Sequence, residues 1–158
     1  MKRLISAALI LSLILSALTG CNGNQAESDN EAAVQKAILD EFHVISQIPR
    51  ESGHERAISN YLRSWAKENG FEVSRDSSNN VVITKPATAG YEAAPVTILQ
   101  CNMDSKIAVE EDSPFQPLTD PVVPIESGNV MTATGTSIGA TSGIGMATAL
   151  YVLEHAEK

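Results

Sequence analysis

The stretch T97-I-L-Q-C-N-M-D-S105 ends an apolar run in a short polar turn and carries one acid, Asp104, at its tip. Open α/β sheets put their chemistry beyond the carboxyl ends of their strands, so a carboxylate there is a candidate for metal or proton work. Asn102 stands two residues before it, and no histidine stands beside it. Ser105 with Lys106, and Ser137 and Ser142 further on, could be nucleophiles. A serine needs a base within hydrogen-bond reach and a third group to orient that base. The histidines, His43, His54 and His155, all fall on expected helices or their ends. His43 reads as solvated, and His155 as a cation suited to a helix's last turn. His54, near a helix start, is the one worth testing as a base. Glu110 and Glu111 are adjacent carboxylates in a proline-rich stretch and read as solvated. The loop G135-T-S-I-G-A-T-S-G-I-G145 invites phosphate, because backbone amides at a helix N-terminus bind anions. It lacks the Gly-Lys-Ser/Thr ending of a P-loop, and its glycines do not spell G-x-G-x-x-G, so nucleotide binding is not expected.

The elements that must position these residues follow from periodicity. Glu31 to Ile48 reads as a helix, with Ala33, Ala37, Ile38, Phe42, Ile45 and Ile48 on one face, stopped by Pro49. Ser52 is placed to cap the next helix, with Glu55 completing a capping box. That helix runs to about Asn69 with Ile58, Tyr61, Leu62 and Trp65 on one side, and Gly70 fits the left-handed position after it. F71-E-V-S-R75 alternates as a half-buried strand, D76-S-S-N-N80 is a turn, and N80-V-V-I-T84 returns as the second strand of a hairpin. V96-T-I-L-Q100 is dense in β-branched residues and reads as a third, central strand. Cys101 at its end reads as a buried inert thiol in preference to a reactive one. Lys106 to Gly128 shows no clear periodicity, and four prolines make it a surface excursion. V130-M-T-A-T134 reads as a short strand. Ile144, Ala147, Leu150, Tyr151 and Leu153 mark a last helix.

The chain has 158 residues, enough for one domain, and a net charge of −8 spread along its length. That balance argues against nucleic acid or an anionic membrane surface as partner. Lys2 and Arg3 precede an apolar run from Leu4 to Leu18, which closes on L18-T-G-C21. This resembles a bacterial lipobox and implies cleavage before Cys21 and lipid on its sulfur; the alternative is an ordinary secretion signal with a chance cysteine. The expected organisation is a leader over 1–20, a flexible tether over 21–30 and an α/β domain over 31–158. The expected place is the exported side of the cell envelope, held to the membrane through Cys21, and at the outer membrane where there is one. With Cys21 lipidated, Cys101 has no partner and no disulfide framework is expected.

E41-F-H-V-I-S-Q-I-P-R50, W65-A-K-E-N-G70, N80-V-V-I-T-K-P-A-T-A-G-Y-E92, T97-I-L-Q100 and G135-T-S-I-G-A-T-S-G-I-G-M-A147 together resemble the N-terminal part of an Xaa-His dipeptidase. This is the aminoacyl-histidine, or cytosol non-specific, dipeptidase branch of the dizinc metallopeptidases. The resemblance covers roughly residues 34–155. It implies an α/β zinc-peptidase domain with a mixed sheet between helices. It also implies two zinc ions sharing a water that a glutamate base drives onto a dipeptide carbonyl. The family sets its first metal histidine in a G-H-x-D-M turn and its bridging aspartate in G-A-D-N-G-I-G. Laid on this sequence, the histidine falls on Asn102, the metal-orienting aspartate on Asp104, the bridging aspartate on Thr141 and the asparagine after it on Ser142.

Zinc takes imidazole, thiolate or carboxylate. An amide and a hydroxyl at 102 and 141 are poor donors for a pair of dications, so no bound metal is expected. The family's remaining ligands and its catalytic base match positions beyond Lys158. The expectation is therefore an incomplete zinc-peptidase domain, inactive alone, that binds peptides weakly or partners another chain. Two alternatives stand beside it: the front portion of a split or frameshifted dipeptidase completed by a separate polypeptide, and a hydrolase with another ligand set. Asp104 is then a remnant of the site or a turn residue. A sheet cut partway leaves an open edge, from which self-association or a complementing partner is expected.

Overall fold

The computed structural model describes residues 27–156. The leader over 1–20, Cys21 and the first part of the tether lie outside these residues. The chain divides into two compact units, 1–37 and 38–158. Of the first, residues 27–37 are described and are helical. Residues 27–30, expected as tether, therefore belong to helix α1 (27–46). Among the described residues, no helix is long and apolar enough to cross a membrane.

Within the second unit, α1 closes on a tightened turn: the amides of Gln47 and Ile48 donate to the carbonyls of Val44 (3.2 Å) and Ile45 (3.1 Å). Pro49 follows, without an amide to continue the ladder. Helix α2 spans Arg56–Glu68 and ends as its sequence requires. Gly70 takes the left-handed conformation (φ +74°). The Phe71 amide reaches back to the Ala66 carbonyl at 2.8 Å and the Gly70 amide to that of Lys67 at 3.1 Å, the paired bonds of a Schellman end. Its start departs from expectation: Glu55 is the N-cap residue and no side chain caps the helix. The Ser52 hydroxyl is spent elsewhere, on Asp104.

Strands β1 (Glu72–Arg75) and β2 (Val81–Thr84) form the expected antiparallel hairpin, with Glu72 opposite Thr84 and Arg75 opposite Val81. Asp76 builds the turn. Its Oδ1 accepts from the amides of Ser78 and Asn80, both at 2.9 Å, and its Oδ2 from the Asn80 side chain at 2.8 Å. The Asn80 side chain and these amides hold the Asp76 carboxyl below the usual carboxylate range. A second antiparallel pair, β3 (Ile125–Ser127) and β4 (Val130–Thr132), lies further on. Strand β4 was expected, and β3 was hidden in the proline-rich stretch. Helix α3 spans Ala140–His155, so the second half of the glycine-rich segment is helical, where a loop was expected.

The α/β class expected from the sequence stands, and the strands of the described residues form two two-stranded sheets. The core joins three helices: Phe42 and Ile45 from α1, Ile58 and Leu62 from α2, and Met146, Ala147 and Leu150 from α3. Ile38, Tyr61, Trp65, Val81 and Ile83 pack around it.

Two further expectations are corrected. Residues 96–100 are not a strand, and Val96 is 89% exposed and Ile98 82%. A central strand needs a ladder on each side, and among the described residues the four strands pair as β1 with β2 and β3 with β4. Cys101, read as buried, is exposed for the same reason. Partial desolvation still pushes its thiol above its ordinary value.

Candidate functional site

Three segments converge where chemistry was sought: the turn after α1, the tip at 101–105, and the start of α3. The Ser105 amide donates to the Arg50 carbonyl at 2.8 Å. The Ser52 hydroxyl donates to Asp104 Oδ2 at 2.6 Å. The Ser142 hydroxyl donates to the backbone carbonyl of Asp104. Asp104 is thus held through its carboxylate by one segment and through its carbonyl by another.

Arg50 is the charge at the centre. Its residue surface is 3% exposed. Its Nη2 donates to the Gly139 carbonyl at 2.9 Å and its Nη1 points to the Ile45 carbonyl at 3.5 Å. Burial pulls the guanidinium pKa down, and the Asp104 charge pulls it back. The guanidinium therefore links the end of α1 to the residue preceding α3. Sequence reasoning passed over Arg50 as part of a turn. The signal was present: a cation directly after an apolar stripe and its terminating Ile48-Pro49.

This packing explains the glycines that first suggested a phosphate loop. Gly139 has φ +67°, and a Cβ on it would lie 3.0 Å from Ser105 Oγ and 3.1 Å from Arg50 Nη2. Gly143, inside α3, would put a Cβ 2.5 Å from Phe42 Cε2. Both positions let backbone approach side chains closely.

The other candidates disperse. Asn102 and Thr141 are exposed, Thr141 in the first turn of α3. Ser137 Oγ accepts from the Ala108 amide at 3.0 Å, and none of Ser105, Ser137 and Ser142 is hydrogen-bonded to a histidine among the described residues. His43 meets Glu126 at 2.9 Å, joining α1 to β3. His54 is exposed in the turn before α2. His155 stacks on Tyr151 at 4.2 Å and contacts its carbonyl, as the last residue of α3. Glu110 and Glu111 are exposed.

Among the described residues, no three His, Cys, Asp or Glu side chains are grouped to hold a metal ion. The donors at positions 102 and 141 are an amide and an alcohol. Neither supplies the charge or the imidazole nitrogen that a pair of zinc ions takes. The residues present do not fit that group.

No known protein-family profile matches the chain. It is 43% identical over 116 residues to the cytosol non-specific dipeptidase of Escherichia coli (strain K12), a match covering 73% of this chain and 24% of that protein. Its fold matches the crystal structure of aminoacylhistidine dipeptidase from Vibrio alginolyticus with a TM-score of 0.71 and 40% identity, over 77% of this chain and 25% of that one. A tripeptidase from Staphylococcus aureus shares the fold, at a TM-score of 0.54 and 24% identity, over 75% and 31%. The chain spans about a quarter of the length of the curated relative it matches. These comparisons correct the expected location. The matched relative is a cytosol dipeptidase, which points away from a lipid anchor in the envelope. The leader reading rested on residues 1–21 alone, outside the described residues.

Proposed function

We propose that this chain, homologous to the cytosol non-specific dipeptidases over a quarter of their length, is a cytoplasmic, non-catalytic derivative of their zinc-peptidase domain. One observation carries the reading. Asp104, which the resemblance makes a metal-orienting acid, is held by Ser52 through its carboxylate and by Ser142 through its carbonyl. Its polar groups hold a turn together. The positions on either side of that role, Asn102 and Thr141, offer neutral donors facing solvent. The family is a dizinc one, and a bridging ligand must carry charge to hold two dications together. What the chain presents instead is a packed scaffold: the Arg50 clamp, the close-packed glycines and the three-helix core.

Zinc analysis of the purified full chain, with hydrolysis of Xaa-His dipeptides measured alongside, tests the reading. The expected result is zinc far below one ion per chain and no hydrolysis above the buffer rate. Near-stoichiometric metal that survives dialysis, or turnover abolished by a chelator, would overturn it.

A further inference from the structure

Helix α2 buries Ile58, Ser59, Leu62 and Ala66. On its opposite side Arg56, Asn60, Arg63 and Lys67 recur at spacings of four, three and four and form one stripe. Arg56, Asn60 and Lys67 are exposed and Arg63 is half-buried. Strand β1 adds a further cation: Arg75 Nη1 donates to Asn60 Oδ1 at 2.7 Å, which fixes the guanidinium against this side of the helix. Arg56, Arg63, Lys67 and Arg75 belong to a chain whose net charge is −8. Among the described residues none of them is ion-paired with an acid.

The stripe works against its own helix. Arg56 is the first residue of α2, whose first turn holds no acid, and a cation there opposes the positive end of the helix dipole. Arg63 and Lys67 are like charges four residues apart, which repel each other. An acid four residues before a Lys or Arg supports an exposed helix, but Ser59 and Arg63 hold those places before Arg63 and Lys67. Glu68, the acid of α2, acts on the Tyr61 hydroxyl instead. Local preferences broken together, with no contact in the chain to offset them, mark a functional surface.

We infer that the α2 stripe and Arg75 form a docking face for an acidic segment of another polypeptide. Charge complementarity selects the occupant. From Arg56 to Lys67 the stripe is about 16 Å long, at about 1.5 Å per residue. That is the span of about five residues of extended chain, whose alternate side chains lie about 6.6 Å apart on one side. Glutamates or aspartates at alternate positions of such a segment face the stripe. A long nucleic acid is the poorer occupant, because beyond the stripe it meets a chain that is negative overall. The same balance disfavours an anionic membrane surface. The inference stands apart from the proposed function, since none of these residues belongs to the site around Asp104.

Fluorescence anisotropy of labelled octaglutamate, titrated with the purified full chain, tests the inference. Binding is expected with a Kd below about 1 mM at low salt. It is expected to weaken at least about fivefold when salt is raised from about 20 mM to about 200 mM, as screening shortens the reach of the charges. Lys67→Gln and Arg56→Glu are each expected to weaken it at least about threefold. Lys106→Gln removes an exposed cation outside the face and is expected to change it by less than about 1.5-fold. Arg56→Glu is also expected to raise the urea midpoint of the free chain, because it reverses the charge at the start of α2. Weaker binding by a more stable chain is the signature. No binding of octaglutamate at low salt, or binding indifferent to Lys67→Gln and Arg56→Glu, would overturn the inference. So would an oligothymidylate or a phosphatidylserine vesicle that binds more tightly than octaglutamate and loses that advantage with Lys67→Gln. A lowered urea midpoint in Arg56→Glu counts against it as well, by removing the helix penalty on which it rests.

Discussion

Ser142 donates its hydroxyl proton to the backbone carbonyl of Asp104, 38 residues earlier, and so ties the first turn of α3 to the tip at 101–105. The residue that the dipeptidase resemblance aligns with a metal-site asparagine is thereby doing structural work. Ser142→Ala is expected to cost about 1–2 kcal/mol, because it leaves a sheltered carbonyl short of a donor. Thr141→Ala, one residue away and exposed, is expected to change stability by less than about 0.5 kcal/mol. Urea midpoints of the two variants measure the difference, and equal midpoints would contradict the assignment.

Gly143 and Gly145 lie on the same helix and are expected to respond with opposite signs. A Cβ at 143 meets Phe42 Cε2 at 2.5 Å and Arg50 Nη2 at 2.8 Å, whereas one at 145 meets only Cys101 Cβ at 3.6 Å. Gly143→Ala is expected to destabilise by about 1–3 kcal/mol through overpacking. Gly145→Ala is expected to stabilise by up to about 1 kcal/mol, the difference in helix propensity. Thermal melts of the two single variants decide it.

The Tyr61 hydroxyl donates to Glu41 Oε1 at 2.6 Å between α2 and α1. Burial raises the Glu41 pKa, the hydrogen bond from Tyr61 pulls it partly back, and Glu154 adds a smaller upward push. Burial and Glu41 together push the Tyr61 hydroxyl well above its ordinary value. An acid whose folded pKa exceeds its unfolded one binds its proton more tightly in the folded state. Its contribution is therefore complete below the unfolded value, is lost as pH rises through the folded one, and stays lost above it. Glu41→Gln is expected to flatten this slope. Tyr61→Phe is expected to steepen it and to cost about 1.5–3 kcal/mol at pH 7, narrowing toward about 1 kcal/mol once Glu41 is protonated. Urea titrations from pH 4 to pH 8 give the comparison.

Restoring charged donors tests the chemistry of the site directly. Asn102→His with Thr141→Asp supplies an imidazole and a carboxylate at two exposed positions. The double variant is expected to bind zinc at least about tenfold more tightly than the wild-type chain, measured by calorimetry. Equal affinities would show that the neutral donors are not what limits metal binding.

Much of the fold was legible because its signals are local. Ile58 and Leu62 fall on one helical face, Gly70 supplies a left-handed residue, and Asp76 to Asn80 is a turn with its own hydrogen bonds. What stayed hidden depends on distant residues. Ser52 and Glu55 spell a capping box, yet the Ser52 hydroxyl goes to Asp104, 52 residues away, and tertiary geometry outweighs the cap. Residues 96–100 carry a strand composition, but a strand exists only where another lies beside it. Strand β3 follows a proline-rich stretch that masks any alternation. Of the site, Asp104 was found from its place at the end of an apolar run. Arg50 was missed because its partners, the carbonyls of Ile45 and Gly139, carry no side-chain signature.

The three-helix core has a consequence for synthesis. Phe42 and Ile45 emerge early, but the surfaces that close over them, Met146, Ala147 and Leu150, leave the ribosome about a hundred residues later. Until α3 clears the exit tunnel, the nascent polypeptide presents an open apolar face, and at that stage it is a natural client for a chaperone.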